Sequence, residues 1–245
     1  MQAFARWTNL SETTYLLRPT KPEADYLLRI FTPDGKELPF AGHPTLGSAY
    51  AWIQHGGQPK ADTHLIQECQ VGLIRIRQDG NKLGFRAPEL LRSGEVEQAE
   101  LQQVLKALNI APSKVLASNW VDNGAGFMGL VLPSAKDVLA VRPDFQALGK
   151  YFVGLIGPHE NGQPADMEVR ALVSIISNGE DPATGSLNAG LAKWLISTHQ
   201  APASYTVRQG TLLDRQADIA ISSESDGTIW VSGECTEVIS GSVQI

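Results

Sequence analysis

Residues 37–49 read E-L-P-F-A-G-H-P-T-L-G-S-A, and residues 180–192 read E-D-P-A-T-G-S-L-N-A-G-L-A. Laid over each other at an offset of 143, the two stretches agree at Glu37/Glu180, Pro39/Pro182, Gly42/Gly185, Gly47/Gly190 and Ala49/Ala192. In each, a proline and a glycine introduce a run of small and apolar residues with helical spacing. Leu46, Ala49, Tyr50 and Ile53 fall on one face of the first run, and Leu187, Leu191, Trp194 and Leu195 on one face of the second. The small residues Gly47, Ala49, Gly190 and Ala192 predict a strand wall packed closely against each helix. A device used twice predicts two halves of similar plan, with the two helix starts facing a common cleft.

Strand-like segments surround both helices. TTYLLRP, DYLLRIFTP, THLIQECQ, GLIRIRQDG and KLGFRAP precede residue 90, with Asp79-Gly80 as a hairpin signal. Residues 1–7 read as the tail of a helix, and 96–108 as an amphipathic helix ending at Asn109. KVLASNWV, GFMGLVLP, YFVGLIG, DMEVRALVSII (166–176), TVRQG, DIAISS, TIWVSGE and the tail 237–245 read as strands of the second half. The expected division is 1–109 and 110–245, with the last strand returning to the first half. The fold class is α+β.

Bulk properties narrow the function. The net charge of −6 leaves no basic footprint for nucleic acid. No apolar run is long enough for a membrane span, and no signal peptide opens the chain, so a cytoplasmic location is expected. Cys69 and Cys235 are single and distant, and His55, His64, His159 and His199 are scattered without companions, so no metal is expected. Residues 179–186 lack the lysine of a nucleotide phosphate loop.

What remains is anion chemistry at the helix starts. A glycine in the first turn leaves backbone N–H groups unobstructed at the positive end of the helix dipole. Gly42, Thr184 and Gly185 are therefore substrate-binding candidates, followed by the polar residues His43 and Ser186. The second copy adds Asp181 where the first has Leu38. A cap role for Asp181 and Thr184 stands beside this reading. Glu12, in N-L-S-E-T-T-Y at the entry to a strand, is placed by alternation to face inward as a general acid or base, with an ordinary surface position as the alternative. Ser186, His43 and Asp181 also permit a serine hydrolase, although A-T-G-S-L is not a nucleophile elbow.

The stretches N-L-S-E-T-T-Y, L-P-F-A-G-H-P-T-L-G-S-A and G-E-D-P-A-T-G-S together resemble the PhzF-type, phenazine biosynthesis-like isomerases of the diaminopimelate epimerase-like fold. Gln209-Gly210 and Arg215 resemble later landmarks of that family. The resemblance implies two pseudo-symmetric domains, each a curled, mostly antiparallel sheet around a central helix. It implies a homodimer, no cofactor, a small carboxylate-bearing substrate, and Glu12 as proton shuttle with His43, Asp181 and Ser186 lining the pocket. Ala41 and Asp181 stand where related epimerases carry cysteines, which leaves no two-thiol mechanism. The family usually starts with a further strand, so the resemblance implies an incomplete N-terminal sheet and lower stability. Arg170-x-Leu172 in place of Arg-x-Phe, and Leu187 in place of alanine, bear on substrate choice. A non-catalytic small-molecule binding protein is the remaining alternative.

Overall fold

The computed structural model describes residues 1–174, 176 and 179–244. By internal packing the chain forms two compact units, Met1–Arg86 with Ser232–Ile245, and Ala87–Val231.

The first unit begins with helix α1 (Gln2–Thr8), which ends at Asn9 in the left-handed conformation, φ 51°. Strands β1 (Thr13–Leu17) and β2 (Tyr26–Phe31) follow, then the two-residue β3 (Glu37–Leu38), helix α2 (Gly42–Gln54), and β4 (His64–Cys69), β5 (Gly72–Asp79) and β6 (Lys82–Arg86). The strand order is β1-β2-β4-β5-β6, with β3 paired to β2. Only the β2–β4 pair is parallel within this set. β2 alternates as a strand with a core face should, burying Tyr26, Leu28 and Ile30. The hairpin at Asp79 pairs Asp79 with Lys82 across Gly80, whose φ of 60° suits glycine.

The second unit contains β7 (Arg92–Gly94), α3 (Gln98–Leu108), β8 (Ala117–Asp122), β9 (Phe127–Val131), α4 (Ala135–Ala140), α5 (Phe145–Leu148), β10 (Phe152–Pro158), β11 (Met167–Val173), β12 (Glu180–Asp181), α6 (Gly185–Ser197), β13 (Ser204–Gln209) and β14 (Ala217–Ser223). The last strand, β15 (Ile229–Glu234), carries the chain across the division between the units. The order within the unit runs β14-β13-β11-β10-β9-β8-β7, with β12 paired to β11.

The repeat read at 37–49 and 180–192 extends to the strands around it. β1 and β2 are antiparallel, β2 and β4 parallel, β4 and β5 antiparallel; β10/β11, β11/β13 and β13/β14 repeat those senses in turn. In both units the short strand before the helix pairs antiparallel with its predecessor. The fold is α+β.

Three expectations change. The helix expected at 96–108 to close the first half runs from Gln98 to Leu108 and packs in the second unit. Its Val104, Leu105 and Leu108 share a buried cluster with Trp120, Met128, Leu130, Val138 and Leu155, so the apolar face of α3 decides its allegiance. The tail is not a strand among its described residues, and Val238 and Ile239 are exposed. Without a pairing partner, alternation alone does not make a strand. The small-residue argument holds at Gly190 and fails at Gly47, while Ala49 and Ala192 are both fully buried. A Cβ on Gly190 would lie 2.3 Å from the Val121 carbonyl oxygen, whereas a Cβ on Gly47 meets nothing within 4 Å. Of the strands expected at 166–176 and 237–245, residues 175 and 245 lie outside the described residues.

Candidate active site

Glu12 is the last residue before β1. The αL turn at Asn9 brings the chain out of α1, and Thr13 enters the ladder opposite Phe31. Ser48 of α2 donates a hydrogen bond to Thr14 Oγ1 at 3.0 Å, which ties the helix to the start of β1. The first turn of α2 therefore stands beside Glu12, and His43 Nε2 lies 2.8 Å from Glu12 Oε2. The glutamate side chain is 17% exposed and the histidine 41%. Oε2 is closed off from solvent and makes no aligned hydrogen bond among the described residues, so the imidazole neighbours it at ion-pair distance without locking it. α2 begins at Gly42 after Ala41, which has no side chain able to cap it.

The second unit builds its helix start differently. α6 begins at Gly185, and its N-cap Thr184 makes no side-chain capping bond. The threonine hydroxyl instead donates to Asp181 Oδ2 at 2.5 Å. Gln209, at the end of β13, ties the turn together. Its Nε2 donates to the Asp181 carbonyl and to Thr184 Oγ1, both at 2.8 Å. Its Oε1 accepts from the Thr184 N–H at 3.2 Å and from Asn188 Nδ2 at 2.9 Å. Ser186 is half-buried, and its carbonyl accepts from Asn123 Nδ2 at 2.8 Å.

Both short strands are clamped by the same fork. Glu37 receives Arg29 Nε at 2.8 Å and Nη2 at 2.7 Å; Glu180 receives Arg170 Nε at 3.0 Å and Nη2 at 2.7 Å. A glutamine from the parallel neighbour strand also recurs, with Gln67 Nε2 donating to Thr45 Oγ1 at 3.1 Å where Gln209 meets Asn188. The two glutamates of the repeat are thus anchors that fix the helix entries.

The structure brings Glu12 to His43 in the first unit. In the second it brings Asp181 to Thr184, with Gly185 and Ser186 in the turn that follows. The roles of Gln67, Asn188 and the two arginines were not read from the sequence, because a paired amide or guanidinium looks like any surface residue until its partner strand is known. Two further carboxylates are structural. Glu68 accepts from the Thr20 N–H at 2.7 Å and from the Thr20 hydroxyl, which holds its carboxyl below the usual range. Glu168 is shared by His159 at 3.0 Å and Thr211 at 2.6 Å. Among the described residues no group of His, Cys, Asp and Glu is arranged to hold a metal ion, and no helix is long and apolar enough to cross a membrane.

Comparison with known proteins identifies the family. Residues 1–241 match the phenazine biosynthesis-like protein family, PhzC-PhzF. The chain is 36% identical to antisense-enhancing sequence 1 of Schizosaccharomyces pombe, over 98% of this chain and 87% of that protein. It is 32% identical to the trans-2,3-dihydro-3-hydroxyanthranilate isomerase of Pseudomonas aeruginosa, over 93% and 80%. A PhzF-family phenazine biosynthesis protein of Enterococcus faecalis superposes with a TM-score of 0.75 at 20% identity, covering 95% of this chain and 82% of that one. The hydroxyproline epimerase of Agrobacterium vitis shares the fold more distantly, with a TM-score of 0.51 at 13% identity over 91% and 71%. The chain belongs to the phenazine biosynthesis-like protein family and is an isomerase of the PhzF type.

Proposed function

We propose that the protein is a cofactor-independent isomerase that moves a proton between carbons of a small carboxylate-bearing molecule, with Glu12 as the acid/base. The observation that carries this reading is the Glu12 carboxylate itself. One oxygen is shielded from water, adjoins an imidazole at 2.8 Å, and is committed to no aligned hydrogen bond among the described residues. A carboxylate held in place but left unspent can take a proton from carbon and return it. His43, in the first turn of α2, stabilises the charge on Glu12 and neighbours the backbone donors at Gly42 that receive an anion. Asp181 governs protonation at the second helix start, where Gly185 and Ser186 offer a second set of donors.

The substrate class follows from the same donors and from the relatives that act on trans-2,3-dihydro-3-hydroxyanthranilate, a ring acid. Among the described residues of the second unit no base meets the Ser186 hydroxyl, which disfavours a serine nucleophile. The test is turnover of trans-2,3-dihydro-3-hydroxyanthranilate by chelator-treated protein with no added cofactor. Isomerisation supports the reading, and hydrolysis or a requirement for an added cofactor overturns it.

A further inference from the structure

Gln209 is fully buried, and its amide meets two backbone groups of fixed polarity. The Thr184 N–H can only donate, so the amide atom facing it is oxygen. The Asp181 carbonyl can only accept, so the atom facing it is nitrogen. A flipped amide would oppose like groups at both contacts. Asn188 is fixed in the same way, because its Nδ2 donates to the Thr184 carbonyl at 2.9 Å as well as to Gln209 Oε1. With the glutamine orientation settled, the second proton of Nε2 points at Thr184 Oγ1. That hydroxyl accepts on one side, and its own proton turns to Asp181 Oδ2, 2.5 Å away.

We infer that Gln209 and Thr184 are positioning residues for Asp181. They hold Oδ2 as a hydrogen-bond acceptor, which fixes how the carboxylate is presented during isomerisation and favours its ionised form. This deepens the reading of Asp181 as a protonation-controlling group and rests on it.

The first unit shows that the chain of contacts is not needed to start such a helix. There the positions of Asp181 and Thr184 are occupied by Leu38 and Ala41, and α2 still begins at its glycine. The buried glutamine is present in both units, while the hydroxyl-to-carboxylate link exists in one. Among the described residues, Arg215 lies beside the Pro182 turn across Gly210, and Arg208 of β13 is paired with Asp218. Arg170 and Glu180 grip each other, and Glu168 is held by His159 and Thr211.

The test is a carbon-13 NMR titration of the Asp181 carboxyl, assigned with Asp181→Asn, in the full chain and three variants. Thr184 has φ −106° and ψ 91°, a β-region geometry that valine favours, so Thr184→Val should fold. Thr184→Ala is a second hydroxyl-free variant. Removing a donor from a carboxylate disfavours its ionised form, so the midpoint should rise by about 1–2 pH units in both variants. It should return in Thr184→Ser, which restores the hydroxyl, and the acid limb of the kcat profile should move with it. Unchanged titration in both hydroxyl-free variants would overturn the inference. A shifted titration in a protein that isomerises nothing would leave the inference standing and remove the activity reading instead.

Discussion

Arg170 grips Glu180 through two roughly parallel N–H···O bonds of 3.0 and 2.7 Å, with both side chains about 95% buried (4% and 5% exposed). Nη1 of the arginine is also spent, on the Val138 and Val141 carbonyls at 3.2 and 2.8 Å. The matching fork between Arg29 and Glu37 lies nearer the surface, with the side chains 40% and 21% exposed. Breaking a buried pair leaves a desolvated charge, which costs about 3–5 kcal/mol, whereas exposed pairs contribute about 0–1 kcal/mol. Glu180→Ala should therefore destabilise the protein several-fold more than Glu37→Ala in urea unfolding at equal m-values. Equal midpoints for the two variants would contradict this assignment.

The two helix glycines separate in the same manner. Gly190→Ala places a methyl group 2.3 Å from a backbone oxygen of β8, which cannot yield as a side-chain end would. Overpacking of this kind costs about 1–3 kcal/mol. Gly47→Ala meets open space at a helical position, and should be neutral or stabilising by about 0.5–1 kcal/mol. Thermal unfolding of the two variants checks the contrast, and loss of stability in Gly47→Ala would refute it.

Acid stability has a readable cause. The Arg29 guanidinium holds Glu37, the Thr20 hydroxyl Glu68, the Ser134 hydroxyl Asp137, and the Thr206 backbone N–H Asp166, each below its usual carboxylate range. A folded-state value below the unfolded one contributes stability that is present above the unfolded value, about 4, and lost as pH falls through the folded value. Unfolding midpoints should therefore climb from pH 3 to about pH 5, then level off as far as these groups are concerned. Thr20→Val removes a donor from Glu68 and should flatten part of that climb. A climb of identical height in Thr20→Val would show that Glu68 plays no part in it.

Much of this was legible before the structure, and the exceptions have physical reasons. α2 and α6 announce themselves through helical apolar spacing behind a proline and a glycine, and Glu12 through its place at a strand entry. α4 and α5 are six and four residues long, too short for periodicity to register. Their only signals are the caps Ser134 and Asp144, whose side chains accept from the Asp137 and Ala147 N–H groups. Leu187 is accommodated because Gly154 of β10 carries no side chain: a Cβ there would lie 2.3 Å from Leu187 Cδ1. That complementarity joins residues 33 positions apart and is invisible in either segment alone. The Gln209 contacts are hidden for the same reason, since what fixes the amide is the polarity of two backbone groups on another element.

The role of Glu12 is tested most directly by Glu12→Gln, assayed with trans-2,3-dihydro-3-hydroxyanthranilate in D2O. Glutamine keeps the shape and reach of the side chain but cannot take a proton from carbon. The wild-type product should carry deuterium at the carbon that receives the proton, wherever exchange with solvent competes with return. In Glu12→Gln turnover should fall about 10²–10⁴-fold while substrate binding, measured by calorimetry, persists. Turnover by Glu12→Gln at near the wild-type rate, with the same deuterium pattern, would contradict the assignment of Glu12 as the acid/base.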